Sequence, residues 1–243
     1  MNYLDFLAEL HGLLEPRSYL EIGVRFGESL SLSRCESIGI DPDFEVNREL
    51  RAPTALIRST SDEYFESLGG GRPFRAMPID LAFIDGMHLL EFVVKDFANV
   101  ERYSHWSTVV VLDDVLPRSV DEAARDRHTQ AWTGDVFRIR DVLGSLRPDL
   151  SLVLVDTQPT GLLLVLGLDP LDRTLTDRFD EIVATHVLPD PQVVPSEVLE
   201  RSGALAPENA LALPVWGAVR RARGRHDLTA GRDDIRRALS LEN

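Results

Sequence analysis

Ser18-Tyr-Leu-Glu-Ile-Gly-Val-Arg-Phe-Gly-Glu-Ser29 reads as a short apolar strand that ends in an acidic residue and runs into a glycine turn. Tyr19, Leu20 and Ile22 supply the β-prone, buried run. Gly23 and Gly27 let the backbone turn sharply and pass close to a ligand with no Cβ in the way. Glu28 and Ser29 suit the first turn of a helix, where negative charge meets the positive dipole end. The dinucleotide fingerprint G-x-G-x-x-G is absent, because here the glycines stand four apart.

Working outward, residues 2–14 have Leu4, Phe6, Leu7, Leu10, Leu13 and Leu14 near helical spacing, and Pro16 ends that helix. A short helix is expected around residues 29–34. Ser37-Ile-Gly-Ile-Asp-Pro42 is a second strand, ending in Asp41. A carboxylate there can accept hydrogen bonds from two vicinal ribose hydroxyls, although Asp-Pro is also ordinary turn chemistry. Residues 54–58 form a third strand, and Ser59, Thr60 and Ser61 follow as hydroxyls suited to capping a helix.

Strand four, Ile79-Asp-Leu-Ala-Phe-Ile-Asp85, opens into Gly86-Met87-His88, and a helix is expected over residues 89–102. Strand five, Thr108-Val-Val-Val-Leu-Asp113, ends in the pair Asp113-Asp114. Repeated strand–helix units predict an α/β fold with a parallel sheet and helices on both faces. Residues 115–135 are loop-rich and expected to lie over the mouth of a site. Within them Trp132 either covers a ligand or anchors the loop. A helix over residues 135–146, a terminal hairpin over residues 151–167 and a helix over residues 171–187 follow. The reading therefore has one sheet domain over residues 1–169 and a helical extension over residues 170–243. That extension is expected to be either an appended lid and oligomer element or a partly mobile extension. Its basic cluster, Arg220-Arg-Ala-Arg-Gly-Arg225, reads as a solvated helix end or a subunit contact.

Composition narrows the function classes. The 243 residues carry 26 basic and 40 acidic side chains, a formal net charge of −14. That balance argues against a nucleic-acid binder and against an anionic membrane surface. The single cysteine, Cys35, excludes an internal disulfide and a cysteine-based zinc site. No apolar run approaches ~18 residues and no leader pattern is evident, so a soluble cytoplasmic protein is expected.

Asp85, Asp113 and Asp114 fall at the carboxyl ends of adjacent strands, where open α/β sheets bind ligands. Carboxylates gathered there repel one another unless a cation or proton intervenes. Hard oxygen donors without a His/Cys cluster suit Mg²⁺. The plainer reading is that each aspartate terminates a strand.

Glu21-Ile-Gly-Val-Arg-Phe-Gly27 resembles motif I of the class I S-adenosylmethionine (SAM) methyltransferases. Leu81-Ala-Phe-Ile-Asp-Gly-Met-His88, with Asp96 and Val110-Val-Leu-Asp-Asp114 after it, resembles the F-I-D-G-x-H group of small-molecule, metal-dependent O-methyltransferases. The resemblance implies a Rossmann-like fold with a mostly parallel seven-stranded sheet and an antiparallel last strand. It implies that Glu21, Gly23 and Gly27 hold the methionine end of SAM, Asp41 its ribose, and Ser59 or Ser61 its adenine edge. Asp85, Asp113 and Asp114 become Mg²⁺ ligands, Asp85 also borders the cofactor, and His88 with Asp85 forms the catalytic pair. His88 stands where catechol-type enzymes use lysine. The implied activity is O-methylation of a small hydroxylated acceptor, such as a sugar or glycosylated natural product. A metal-independent methyltransferase and a SAM-binding partner without catalysis are the alternatives, and a homo-oligomer stays open.

Overall fold

Apolar strands set this architecture, and their register brings the carboxyl ends level. The computed structural model describes residues 1–223 and 228–240. In chain order it contains α1 (Tyr3–Leu14), β1 (Ser18–Ile22), β2 (Glu36–Ile40), β3 (Thr54–Ile57), α2 (Ser61–Ser67), β4 (Ile79–Ile84), α3 (Leu90–Arg102) and β5 (Ser104–Leu112). Then come α4 (Ile139–Leu146), β6 (Ser151–Val155), β7 (Leu162–Leu166), α5 (Thr174–Asp177), α6 (Phe179–His186), α7 (Ser196–Leu199), α8 (Pro207–Ala212), α9 (Val215–Ala222) and α10 (Leu228–Ser240).

One seven-stranded sheet runs β3-β2-β1-β4-β5-β7-β6. Its first five strands are parallel, and β7 runs antiparallel to both β5 and β6. The α/β class, the parallel sheet and the antiparallel terminal hairpin are as the sequence predicts. Alternation along each strand feeds two cores. Leu20, Ile22, Ile84, Val110 and Leu112 face α3 and α4, whereas Tyr19, Leu81, Phe83, Val109 and Val111 face α1, α8, α9 and α10. Burial on both faces explains why the strands read as nearly continuous apolar runs.

Ile22 is in register with both Ile40 and Ile84, and Ile84 with Leu112. The residue after each strand therefore extends the ladder by one bond. Gly23 N–H donates to Ile40 O (2.9 Å), Asp41 to Ile57 O (3.1 Å), Asp85 to Ile22 O (2.8 Å) and Asp113 to Ile84 O (3.1 Å). Asp41, Gly23, Asp85 and Asp113 thus stand in a row along the carboxyl edge. The row crosses the β1/β4 boundary, where the strand order reverses.

Three local expectations are corrected. The helix expected at residues 29–34 is a single 3₁₀ turn, Leu30–Leu32. Its serines bond elsewhere, Ser29 to Glu21 (2.9 Å) and Ser31 to Glu28 O (2.7 Å), which competes with helix propagation. Glu28 and Ser29 therefore meet no helix dipole. The helix expected over residues 171–187 starts at Thr174 and breaks at Arg178, giving α5 and α6. Buried Arg147 draws Asp172 to itself (3.3 Å), and Asp172 Oδ1 accepts the Thr174 N–H (2.8 Å). The helix expected from residue 135 opens as a 3₁₀ turn, Gly134–Arg138, before α4.

Residues 170–223 and 228–240 pack against the sheet. Arg201 bonds Asp156 (2.5 Å) and the carbonyls of Thr157 (3.1 Å) and Pro159 across the β6–β7 turn. Arg220 pairs with Glu15 (2.8 Å), so part of the basic cluster faces this chain's own α1. Gly224 and Arg225 of that cluster lie outside the described residues. Among the described residues no helix is long and apolar enough to cross a membrane.

Candidate active site

The glycine loop after β1 is pinned from both sides. Gly23 has φ +91°, and a Cβ added there would lie 1.9 Å from Asp85 O. Only glycine lets the β1 and β4 loops touch in this way. Arg25, itself left-handed at φ +46°, donates its N–H to Asp41 Oδ2 (2.8 Å), and Asp41 Oδ1 accepts from Asp43 N–H (2.7 Å). Asp41 thus shapes the loop as well as standing at the end of β2, where a ribose-binding carboxylate is expected.

Glu21 lies under the loop and not on its surface. It is fully buried, and it accepts hydrogen bonds from the Tyr19 hydroxyl (2.5 Å) and Ser29 (2.9 Å). Burial pushes its carboxyl up to about 8, although these bonds oppose the shift. The hydroxyls at the β3 end are likewise committed. Thr60 and Glu63 form a capping box on α2, Ser59 bonds Thr60 O (3.0 Å), and Ser61 bonds Asp96. Asp96 is buried on α3 beside Gly86, and burial raises it to about 7.

The chemistry gathers after β4 and β5. One ligand atom each of Asp85, His88 and Asp114 falls within a 4.8 Å cluster. His88 Nδ1 contacts Asp114 Oδ2 directly, and its Nε2 is 3.8 Å from Asp85 Oδ1. Burial, with the charges of Asp113 and Asp114 added, raises Asp85 well above the ordinary carboxylate range. His88 (φ +56°) and Asp114 (φ +62°) both hold left-handed backbone, which costs about 1–3 kcal/mol each and concentrates at functional sites.

The expected trio is regrouped. Asp113 Oδ1 accepts the Asp114 N–H (2.8 Å) and its carboxylate bonds the Thr160 hydroxyl. The structure brings Asp85 and Asp114 together with His88 and leaves Asp113 tied to the β6–β7 turn.

Residues 115–135 pack over this cluster. The Trp132 ring lies 5.2 Å from that of His88, tilted 33°, while its Nε1–H donates to Ala124 O (2.6 Å). It both covers the site and anchors the loop. Arg125 bonds Glu91 on α3 and fully buried Asp135 (2.5 Å), whose other oxygen caps Leu90 N–H (2.8 Å). Asp190, from the C-terminal segment, accepts the N–H groups of Arg125 and Asp126.

Residues 20–115, which span the glycine loop and every aspartate of the row, match the family model of a methyltransferase domain. Over those residues the chain is similar to a methyltransferase domain. A crystal structure from Klebsiella pneumoniae classed as an O-methyltransferase is similar at 22% identity and TM-score 0.50, covering 67% of this chain and 78% of that one. An O-methyltransferase from Bacillus cereus in complex with S-adenosylhomocysteine (SAH) is 16% identical at TM-score 0.49, covering 68% and 80%. TomG from Streptomyces achromogenes, an O-methyltransferase of tomaymycin synthesis in complex with SAM, is 21% identical at TM-score 0.48, covering 67% and 78%. No curated protein matches the chain.

Sequence reasoning missed three residues of this candidate site. Tyr3 enters from α1, Thr160 restrains Asp113, and Gly134 backs His88. Only Gly134 stood beside a predicted element, the helix expected over residues 135–146.

Proposed function

We propose that this methyltransferase acts on a hydroxyl of a small metabolite, such as a sugar or glycosylated natural product, with SAM as donor and Mg²⁺ as a bound ion. The observation that carries the reading is the convergence of Asp85, His88 and Asp114 beside the glycine loop at the switch point of the sheet.

The residues fit both groups. Gly23, Gly27 and Asp41 would hold the cofactor, as a glycine loop and a carboxylate at neighbouring strand ends. Asp85 and Asp114 supply hard oxygen donors for a divalent cation. SAM supplies a methyl group activated by its sulfonium, and a divalent ion lowers the pKa of a hydroxyl brought against it. The protein then needs to align the acceptor oxygen with the S–CH₃ bond. Asp114 orients the imidazole through Nδ1, so His88 Nε2 is placed to take the acceptor's proton as the C–O bond forms. Trp132 shields that proton transfer from water.

The test is calorimetric titration with SAM and SAH, with Mg²⁺ and with EDTA. Micromolar binding of both nucleosides supports the cofactor assignment, and absence of binding overturns it. The direct His88–Asp114 contact favours a second reading, a metal-independent enzyme in which the two work as a dyad. Methyl transfer that persists in EDTA selects that version.

A further inference from the structure

The amino edge of the sheet carries a hollow of opposite character to the acidic row at its carboxyl edge. About 300 Å³ is enclosed between the loop after α2, the end of α3 and the segment before α5. That volume stands at the lower end of the range for small-molecule sites. Arg72, Arg102 and Arg173 line it, with Gly70 and Leu171, and no carboxylate does among the described residues.

Elsewhere this acid-rich chain pairs arginines with carboxylates, as Arg118 with Glu122 and Arg125 with Glu91. No ion pair reaches Arg72, Arg102 or Arg173 among the described residues. The acid next to Arg173 in sequence, Asp172, is spent on Arg147 (3.3 Å) and on the Thr174 N–H (2.8 Å). Arg173 reaches only the Asp172 carbonyl (3.4 Å), and Arg102 lies over the Tyr103 ring, 5.7 Å from its centroid. Neither contact cancels a charge. The loop adds donors: Gly70 (φ +94°) has open space where a Cβ would stand, and the N–H groups of Gly70 and Arg72 make no hydrogen bond among the described residues.

Three guanidinium groups around one hollow repel a cation and draw an oxyanion. A carboxylate offers two oxygens and one charge. A phosphoryl group offers three oxygens and up to two charges, which suits three planar forks. The formal net charge of −14 disfavours a long polyanion, so the ligand is small. The hollow reaches Ser104, the first residue of β5, whereas Asp113 follows its last, Leu112. The strand between them spans roughly 25 Å, so this ligand is neither the cofactor nor the methyl acceptor.

We propose that this hollow binds the phosphoryl group of a small phosphorylated metabolite, held by Arg72, Arg102 and Arg173. The site is independent of the methyl-transfer reading.

Calorimetric titration of the full chain with inorganic pyrophosphate, at constant ionic strength and without divalent cations, tests it. Arg72→Ala and Arg173→Ala, both at exposed positions, are each expected to weaken binding about tenfold. Arg75→Ala removes an equally exposed charge from the same loop outside the hollow, and should leave affinity within about twofold. No binding by wild type up to about 10 mM overturns the proposal. Equal weakening in all three variants overturns it too, because a diffuse field and not a site would then be acting. So does affinity that Arg72→Ala and Arg173→Ala leave unchanged.

Discussion

Gly134 lies flat against the backbone carbonyl of His88, so close that a Cβ added at Gly134 would sit 1.7 Å from that oxygen. Two segments far apart in sequence thus fix the proposed base together. Gly134→Ala, which also forces a side chain onto φ +55°, is expected to shift His88 and lower methyl-transfer turnover by about 10²-fold. SAH affinity should stay within about twofold, because Gly134 backs His88 and none of Gly23, Gly27 or Asp41. Steady-state kinetics with parallel SAH titration checks the split.

The regrouping of the aspartates separates two otherwise similar substitutions. Asp114→Asn and Asp85→Asn are expected to abolish heat from Mg²⁺ titration. Asp113→Asn should retain it with modest weakening, since Asp113 is spent on Thr160 and its own neighbour. Equal loss in all three would restore Asp113 to the ligand set.

His88→Ala should lower turnover about 10²–10⁴-fold, the usual contribution of a positioned general base. Asp114→Asn should approach that loss even where EDTA leaves activity intact, because Asp114 then acts by orienting the imidazole. Single-turnover methyl transfer is the measurement, since product release would mask smaller effects.

Two buried groups give opposite pH dependence of stability. His11 is buried against Tyr19, and burial pulls it down to about 4 from an ordinary 6.5. Between those values the unfolded chain holds the extra proton, so stability falls as pH drops through that window. Glu21, raised to about 8 from 4.5, behaves conversely: the folded state holds the extra proton and stability falls as pH rises through that range. Denaturant unfolding of His11→Leu should lose the acid-side slope, and Glu21→Gln the slope above pH 6.5. Unchanged slopes would mean that neither group titrates as its burial requires.

Arg125→Leu strands the fully buried Asp135 without its partner, at a cost of about 3 kcal/mol in urea unfolding. Arg125→Leu/Asp135→Asn should recover much of that loss, because the orphaned charge is gone while the amide can still accept from Leu90.

The sequence by itself determined the strands, the glycine turn and the placing of aspartates at strand ends. These follow from local chemistry: apolar runs such as Ile79 to Ile84, breakers such as Gly23, and a period that separates strand from helix. It also carried the α/β class, because alternating elements of that length have few ways to bury both faces of a sheet. Only the tertiary structure decided which acidic groups meet. Asp113 turns to Thr160, His88 joins Asp85 and Asp114, Glu21 sinks beneath its loop, and Tyr3 arrives from the far end of α1. Each of these depends on a partner distant in sequence, and hydrogen-bond satisfaction of buried polar groups is settled only once the chain has packed.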